Sequence, residues 1–302
     1  MDERSVATEP STLPAVTYSE AEHDAETAAR RADVILRPVE TVAELHGVAA
    51  LISRIWEAPA APPMPHDIMR SLVHAGGRVH AAFRHGQLIG AAVAVFCQPA
   101  DAACYSLIAG VSPGAERGGI GLALKLAQRA WALSAGAARM RWTFDPLLRR
   151  NAWFNISRLG AVGTEYLVDF YGEVADGVND PETDRLAVTW NLRMPLPRST
   201  QVSQPPESAP SEEDEPAAIL IAGLRGEPTA TTTLGADSTD SGRLRCWIPD
   251  DIIAVRRSDP GLARRWRLAV REALGGAFAE GHQVTAVIDP GWYVLEKTER
   301  AR

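Results

Sequence analysis

The densest information in this chain lies in Tyr105-Ser-Leu-Ile-Ala-Gly-Val-Ser-Pro-Gly-Ala-Glu-Arg-Gly-Gly-Ile-Gly-Leu-Ala-Leu-Lys-Leu-Ala-Gln-Arg129. An apolar strand runs into a glycine-rich loop, and the loop opens an amphipathic helix. The first turn of a helix has N–H groups without intrahelical partners, and the helix dipole places partial positive charge there. Gly118, Gly119 and Gly121 carry no Cβ, so an anion can approach the main chain closely. The pattern predicts a phosphate or pyrophosphate site.

Several loop chemistries compete. A nucleoside-triphosphate loop needs Gly-Lys-Ser/Thr at the helix start, but Leu122 and Ala123 follow Gly121. A dinucleotide fingerprint wants a third small residue in the helix, which Gly119-Ile-Gly121-Leu-Ala-Leu124 lacks. Gly110-Val-Ser112-Pro-Gly114 mimics a hydrolase nucleophile elbow, yet Pro113 has no N–H to offer an oxyanion. A glycine-rich turn that merely caps a helix is the structural alternative.

Around this stretch the order of elements is legible. Strand signals fall at 34–38, 78–84, 88–96, 103–111, 139–144, 162–171 and 185–192, and helix signals at 41–56, 66–74, 119–135 and 151–159. Residues 1–32 are rich in Glu, Ala, Thr and Ser and read as a disordered tail. Residues 197–216 are proline-rich and acidic and read as a linker. The expected division is a body at 33–196 and a smaller α/β module at 217–298, with strands near 218–224, 244–248, 283–288 and 292–296 and a helix at 260–280. Arg264, Arg265, Arg267 and Arg271 make that helix strongly basic. They are expected on a solvated face paired with Glu272, Asp259 and the linker, a clamp for an acidic ligand being the functional alternative.

The 302 residues suffice for one large or two modest cores, and a net charge of −7 disfavours nucleic acid as partner. Cys97, Cys104 and Cys246 show no metal spacing, and two of them sit in apolar strands. His66, His74, His80 and His85 form no ligand pair on a helix, so no metal is expected. No secretory signal is visible, and no apolar run approaches the ~20 residues of a membrane span. The expectation is a cytoplasmic protein without membrane contact.

Val111-Ser-Pro113 followed by Gly119-Ile-Gly121 resembles the coenzyme A loop of the GNAT acetyltransferase superfamily, with Glu116 where that family has Arg or Gln. The order β-α-α-β-β-β-α-β-α-β-β over 33–196 is that family's topology. Trp142-Thr-Phe-Asp-Pro146, Arg150-Asn-Ala152, Leu159-Gly160, Tyr171-Gly172 and Asp184-Arg185-Leu186 resemble a bacterial branch whose members are known only as predicted acetyltransferases. The resemblance implies an α/β fold with a mixed sheet, and acetyl-CoA or another acyl-CoA as co-substrate. It implies transfer to a primary amine of a small molecule by direct attack in a ternary complex. The alternative is a degenerate CoA-binding or accessory protein; a homodimer is compatible with either.

The resemblance also implies roles. Ala109 and Val111 would line the pantetheine arm, and Arg117, Gly118, Gly119, Ile120, Gly121 and Leu122 would hold the pyrophosphate. Asn151 and Asn155 would contact the cofactor. The family's usual acid, a tyrosine four residues before the glycine ending the short helix, is replaced by Ile156 ahead of Gly160. Asp145 is the expected base, Tyr105 and Asn155 the other catalytic candidates, and Tyr171 and Arg185 the acceptor contacts; Glu173 and Asp169 are weaker candidates.

Overall fold

The computed structural model describes residues 15–58, 62–172, 183–197, 218–224, 226–230, 242–288 and 291–298. Most of the expected linker, the first fourteen residues of the expected tail, and Glu173 lie outside them.

The elements of the body follow the expected order. They are β1 (Ile35–Pro38), α2 (Val42–Ile55), α3 (His66–His74), β2 (Arg78–Arg84), β3 (Gln87–Phe96) and β4 (Ala103–Val111), then α4 (Ile120–Ser134), β5 (Arg139–Phe144), α5 (Arg149–Ala152), β6 (Val162–Leu167) and β7 (Arg185–Asn191). α2 starts where a capping box says it should: Thr41 accepts from the Glu44 N–H and Glu44 reaches back to the Thr41 N–H. Leu45, Val48, Ala49 and Ile52 then fall on one helical stripe and are buried. α5 continues as π-helical residues Trp153–Arg158, and β6 stops four residues short of its expected end, in a turn that includes Asp169 at positive φ.

Two layers flank the body's sheet. α2 and α3 cover one face, burying Val79, Ala81, Ala91 and Val93. α4 covers the other, burying Ala82, Ala92, Ile120 and Leu124. On that second side lies an element absent from the sequence expectations. Residues 18–31, expected to be disordered, form α1 (Tyr18–Arg31), which opens on a Thr17–Glu20 capping box. Ala21, Ala25 and Ala29 recur every four residues and are buried, so α1 lies closely along α4.

The second segment contributes β8 (Ala218–Leu224), β9 (Glu227–Ala230), β10 (Arg243–Trp247), α6 (Ile252–Ser258), α7 (Pro260–Ala279), β11 (His282–Ile288) and β12 (Trp292–Lys297). Its strands extend the body's sheet: the order is β1-β2-β3-β4-β5-β7-β6-β11-β12-β10-β8-β9. The join at β6–β11 is short, a single register pair between Gly163 and Val284. A Cβ at residue 163 would lie 2.9 Å from Val284 Cβ, so the glycine permits the close approach. One hydrophobic cluster spans both segments, with Trp142, Phe144 and Trp190 from the body and Trp266, Val284 and Tyr293 from the second segment. Cys104 and Cys246 are buried within it, as their apolar strands predict. Among the described residues no helix is long and apolar enough to cross a membrane.

Candidate functional site

β4 and β5 are parallel partners over three pairs only, Ala103↔Arg139, Cys104↔Met140 and Tyr105↔Arg141. Beyond them β4 keeps β3 as far as Val111↔Gly90, and β5 keeps β7 as far as Phe144↔Leu186. Strands that stay paired on their outer sides but not with each other diverge, leaving the main chain of Ser106 to Val111 without a strand partner on the β5 side. The register of β3 against β4 also slips at Leu107, a bulge that increases local twist at the point of divergence. Such a fork offers unpaired N–H and C=O groups to an extended polar ligand.

The glycine loop stands at the open end of the fork. Glu116–Gly118 make one 3₁₀ turn, Gly119 adopts φ +77°, and α4 begins at Ile120 with no side-chain cap. The first main-chain bond of the helix runs from the Ala123 N–H to the Gly119 carbonyl. The earlier amides therefore point out of the helix end. The glycines themselves separate into two kinds. At Gly110 a Cβ would lie 2.8 Å from Trp56, and at Gly90 3.1 Å from Ile120 and Leu124; these are small because protein packs on them. At Gly119 and Gly121 a Cβ would meet nothing nearer than 3.9 Å and 3.8 Å. Packing demands a glycine at neither position; Gly119 is required by its positive φ, and Gly121 has no such backbone reason. Glu116 is exposed, so its carboxylate is not held against the loop amides.

Sequence reasoning missed a cation here. Arg84, at the end of β2, donates to the carbonyls of Ala32 and Asp33 at 2.6 Å and 3.3 Å. Its Nη2 lies 3.4 Å from where a Cβ on Gly118 would stand. In sequence it is a strand-end arginine before a turn, indistinguishable from a surface charge.

The residues expected on the acceptor side do come together. Tyr105 and Arg141 are register partners at the base of the fork, and neither is fully buried. Thr143 lies within hydrogen-bonding reach of Tyr105, and Tyr171 and Cys97 are close enough to act on it electrostatically. Burial is the main cause that pushes the Tyr105 phenol above its usual range, so it is a protonated donor at neutral pH. The Arg185 guanidinium sits 5.0 Å over the Tyr171 ring and donates to the Asp184 carbonyl at 2.8 Å. Tyr105, Arg141 and Thr143 face away from α4, since Ser106 and Trp142, which alternate with them in β4 and β5, point towards it.

Asp145 must be corrected. Its Oδ1 and Oδ2 accept from Arg267 at 2.8 Å and 3.0 Å, Oδ2 also from Arg256 at 2.7 Å, and Oδ1 from the Leu147 N–H at 3.0 Å. Desolvation alone would raise its pKa, but the two guanidiniums outweigh it and hold the carboxyl well below the usual range. A carboxylate so engaged takes no proton from an amine near neutral pH, so Asp145 is an anchor and not a base. The reading of the basic helix α7 is corrected for two of its four arginines: Arg264 and Arg265 are exposed, as expected, but Arg267 is buried and Arg271 makes a two-pronged bond to Asp184 at 2.9 Å.

The second helix end gives a mixed result. Asn151 is exposed in α5, while Asn155 is buried and its Oδ1 accepts from Trp142 Nε1 at 3.2 Å. Ile156 is in the core, so no acid stands at that position. Phe154 faces the start of α4, its Cζ 3.8 Å from a Cβ placed on Gly121. Between α4 and the fork lies a polar cluster that sequence reasoning also missed. Lys125 is buried, its Nζ 2.8 Å from Ser106 Oγ and 3.9 Å over the Trp142 ring. The Ser106 hydroxyl in turn donates a hydrogen bond to Gln128 Oε1 at 3.0 Å. Among the described residues no group of three or more His, Cys, Asp or Glu is arranged to hold a metal ion.

No family model and no curated protein matches the chain. Among solved structures it is similar to an IAA acetyltransferase from Bacillus cereus, at 16% identity and TM-score 0.39 over 52% of this chain and 99% of that one. It is similar to the ribosomal-protein-S18-alanine N-acetyltransferase from Escherichia coli, at 14% identity and TM-score 0.40 over 54% and 96%. The ribosomal-protein-alanine N-acetyltransferase from Brucella melitensis gives 19% identity and TM-score 0.42 over 52% and 99%.

Proposed function

We propose that this chain is a GNAT-type N-acyltransferase that binds an acyl-CoA in the fork between β4 and β5 and passes the acyl group to a primary amine. The observation that carries the reading is the combination of an unpaired β4 main chain with an uncapped helix end whose Gly121 no packing contact demands. The amides of Gly119, Ile120, Gly121 and Leu122 would hold the pyrophosphate, with Arg84 beside them and Arg117 in the same turn. The arm would lie along Ala109 and Val111. Acetyl-CoA is the simplest donor.

Transfer needs a free amine, a polarised carbonyl and a proton for the leaving thiolate. A main-chain N–H of β4 near the Leu107 bulge would polarise the carbonyl. The amine would arrive from the face carrying Tyr105, Tyr171 and Arg185, where Arg185 suits an acceptor with a carboxylate. With Asp145 engaged, no strong base stands among the residues placed on that face. The amine must then bind as the free base, and the rate should rise with pH up to the amine's own pKa.

A second reading, a CoA-binding protein without turnover, is favoured by the buried Ile156 and the engaged Asp145. Calorimetry with CoA and acetyl-CoA, followed by thiol release over a panel of amines, separates the two. Gly121→Glu should weaken CoA binding about tenfold or more, because ~1.4 kcal/mol of repulsion suffices for that factor. Absence of CoA binding by the unaltered protein would overturn both readings.

A further inference from the structure

A lysine in a protein interior normally finds a carboxylate, since an uncompensated buried charge is costly. Arg129, one turn along α4 from Lys125, obeys the rule: it bonds the carbonyls of Leu192 and Met194 and pairs with Asp24. Lys125 does not. Among the described residues its Nζ has one hydrogen-bond partner, the Ser106 hydroxyl, and one aromatic face, Trp142. The neighbouring Gln128 Nε2 has no hydrogen-bond partner among the described residues. Among the described residues Cys104 is the titratable neighbour with an electrostatic effect on Lys125; burial pushes its thiol up to about 12, so it supplies no negative charge. Burial in turn brings Lys125 down to about 7.

The position of this amine is specific. Tyr105↔Arg141 is the last pair joining β4 to β5, and the next residues on the two strands are Ser106 and Trp142. Lys125 touches both, so its Nζ sits at the crotch of the fork. An ammonium there lacks the counter-charge that a thiolate would supply. Resting on the acyl-CoA reading above, we propose that Lys125 donates a hydrogen bond to the thioester sulfur and protonates it as the acyl group leaves. The acceptor nitrogen bonds to the carbonyl carbon, the C–S bond breaks, and its electron pair goes to sulfur. Lys125 then transfers one N–H proton to that sulfur and becomes a neutral amine. The proton shed by the new amide nitrogen goes to solvent, and Lys125 is recharged from solvent once the thiol departs.

The test needs no acceptor. CoA is bound to the full-length protein and its thiol is titrated by the ultraviolet absorbance of the thiolate. The bound thiol should titrate roughly one to two pH units below free CoA, as expected beside a cation. In Lys125→Met the bound thiol should return to the free value or above it, with CoA still bound through its phosphates. Ser106→Ala, which frees Nζ from its single hydrogen bond, should keep the lowered value. A bound thiol that titrates like free CoA in the unaltered protein overturns the proposal, whether or not Lys125→Met folds. An equal shift in unaltered protein and Lys125→Met overturns it as well. Those outcomes leave CoA binding intact; failure to bind CoA would instead sink the reading on which the proposal rests.

Discussion

Gly119 and Gly121 stand two residues apart in one loop, yet substitutions at them report different things. Gly119 has φ +77°, a backbone conformation strained for any side chain, so Gly119→Glu would mix strain with charge. Gly121 is already inside α4, where a glutamate is a good helix former, and only its charge opposes a phosphate. Lys125 allows a second residue-scale prediction, on stability. Its folded pKa is about 7 against an ordinary 10.5. Between these values the unfolded chain holds the proton more tightly, so stability rises with pH across that window. Below the window the buried charge carries its full penalty. Lys125→Met should therefore raise the melting temperature, with a larger gain near about pH 6 than near about pH 10. A lower melting temperature at every pH would mean the ammonium is better compensated than its neighbours indicate.

At the scale of elements, helix periodicity and strand alternation placed α2, α3, α4, α7 and the body's strands within a few residues of their observed ends. α1 escaped because its composition is that of a disordered tail. The signal was present in two features that composition averages away: the Thr17–Glu20 capping box and alanines at 21, 25 and 29. The π-helical turn at Trp153–Arg158 has no such local signature; its Ser157 exchanges hydrogen bonds with the main chain of Val287, a partner 130 residues away. α1 matters to the site because its end carries the Ala32 and Asp33 carbonyls that hold Arg84 beside the loop. Ala21 is fully buried in that helix. Ala21→Leu should overpack α1 and lower stability by about 1–3 kcal/mol in urea denaturation. A midpoint equal to that of the unaltered protein would show that α1 does not dock in solution.

At the scale of the whole molecule, the glycine loop could be read from local sequence, but the divergence of β4 from β5 and the fate of the acidic candidates could not. Asp145 follows a strand end where a catalytic carboxylate is plausible, Asp184 directly precedes β7, and their partners lie 122 and 87 residues further along the chain. Only the folded arrangement reveals that α7 crosses to the body and takes both carboxylates. The two segments are thus joined by one sheet, one apolar cluster and these ion pairs. Ion pairs of this kind stabilise only while both members stay charged. Because Asp145 titrates below its unfolded value near ~3.9, its contribution is complete above that pH and is lost as pH falls below it. Asp145→Asn leaves Arg267 buried beside a neutral amide. It should cost roughly 3–5 kcal/mol at neutral pH, the range for removing one member of a buried pair. Followed by thermal unfolding from about pH 7 down to about pH 3, the unaltered protein should lose stability steeply at the acid end, and Asp145→Asn should lose less. Parallel acid curves for the two proteins would show that this carboxylate does not tie the second segment to the body, and would return Asp145 to consideration as a base.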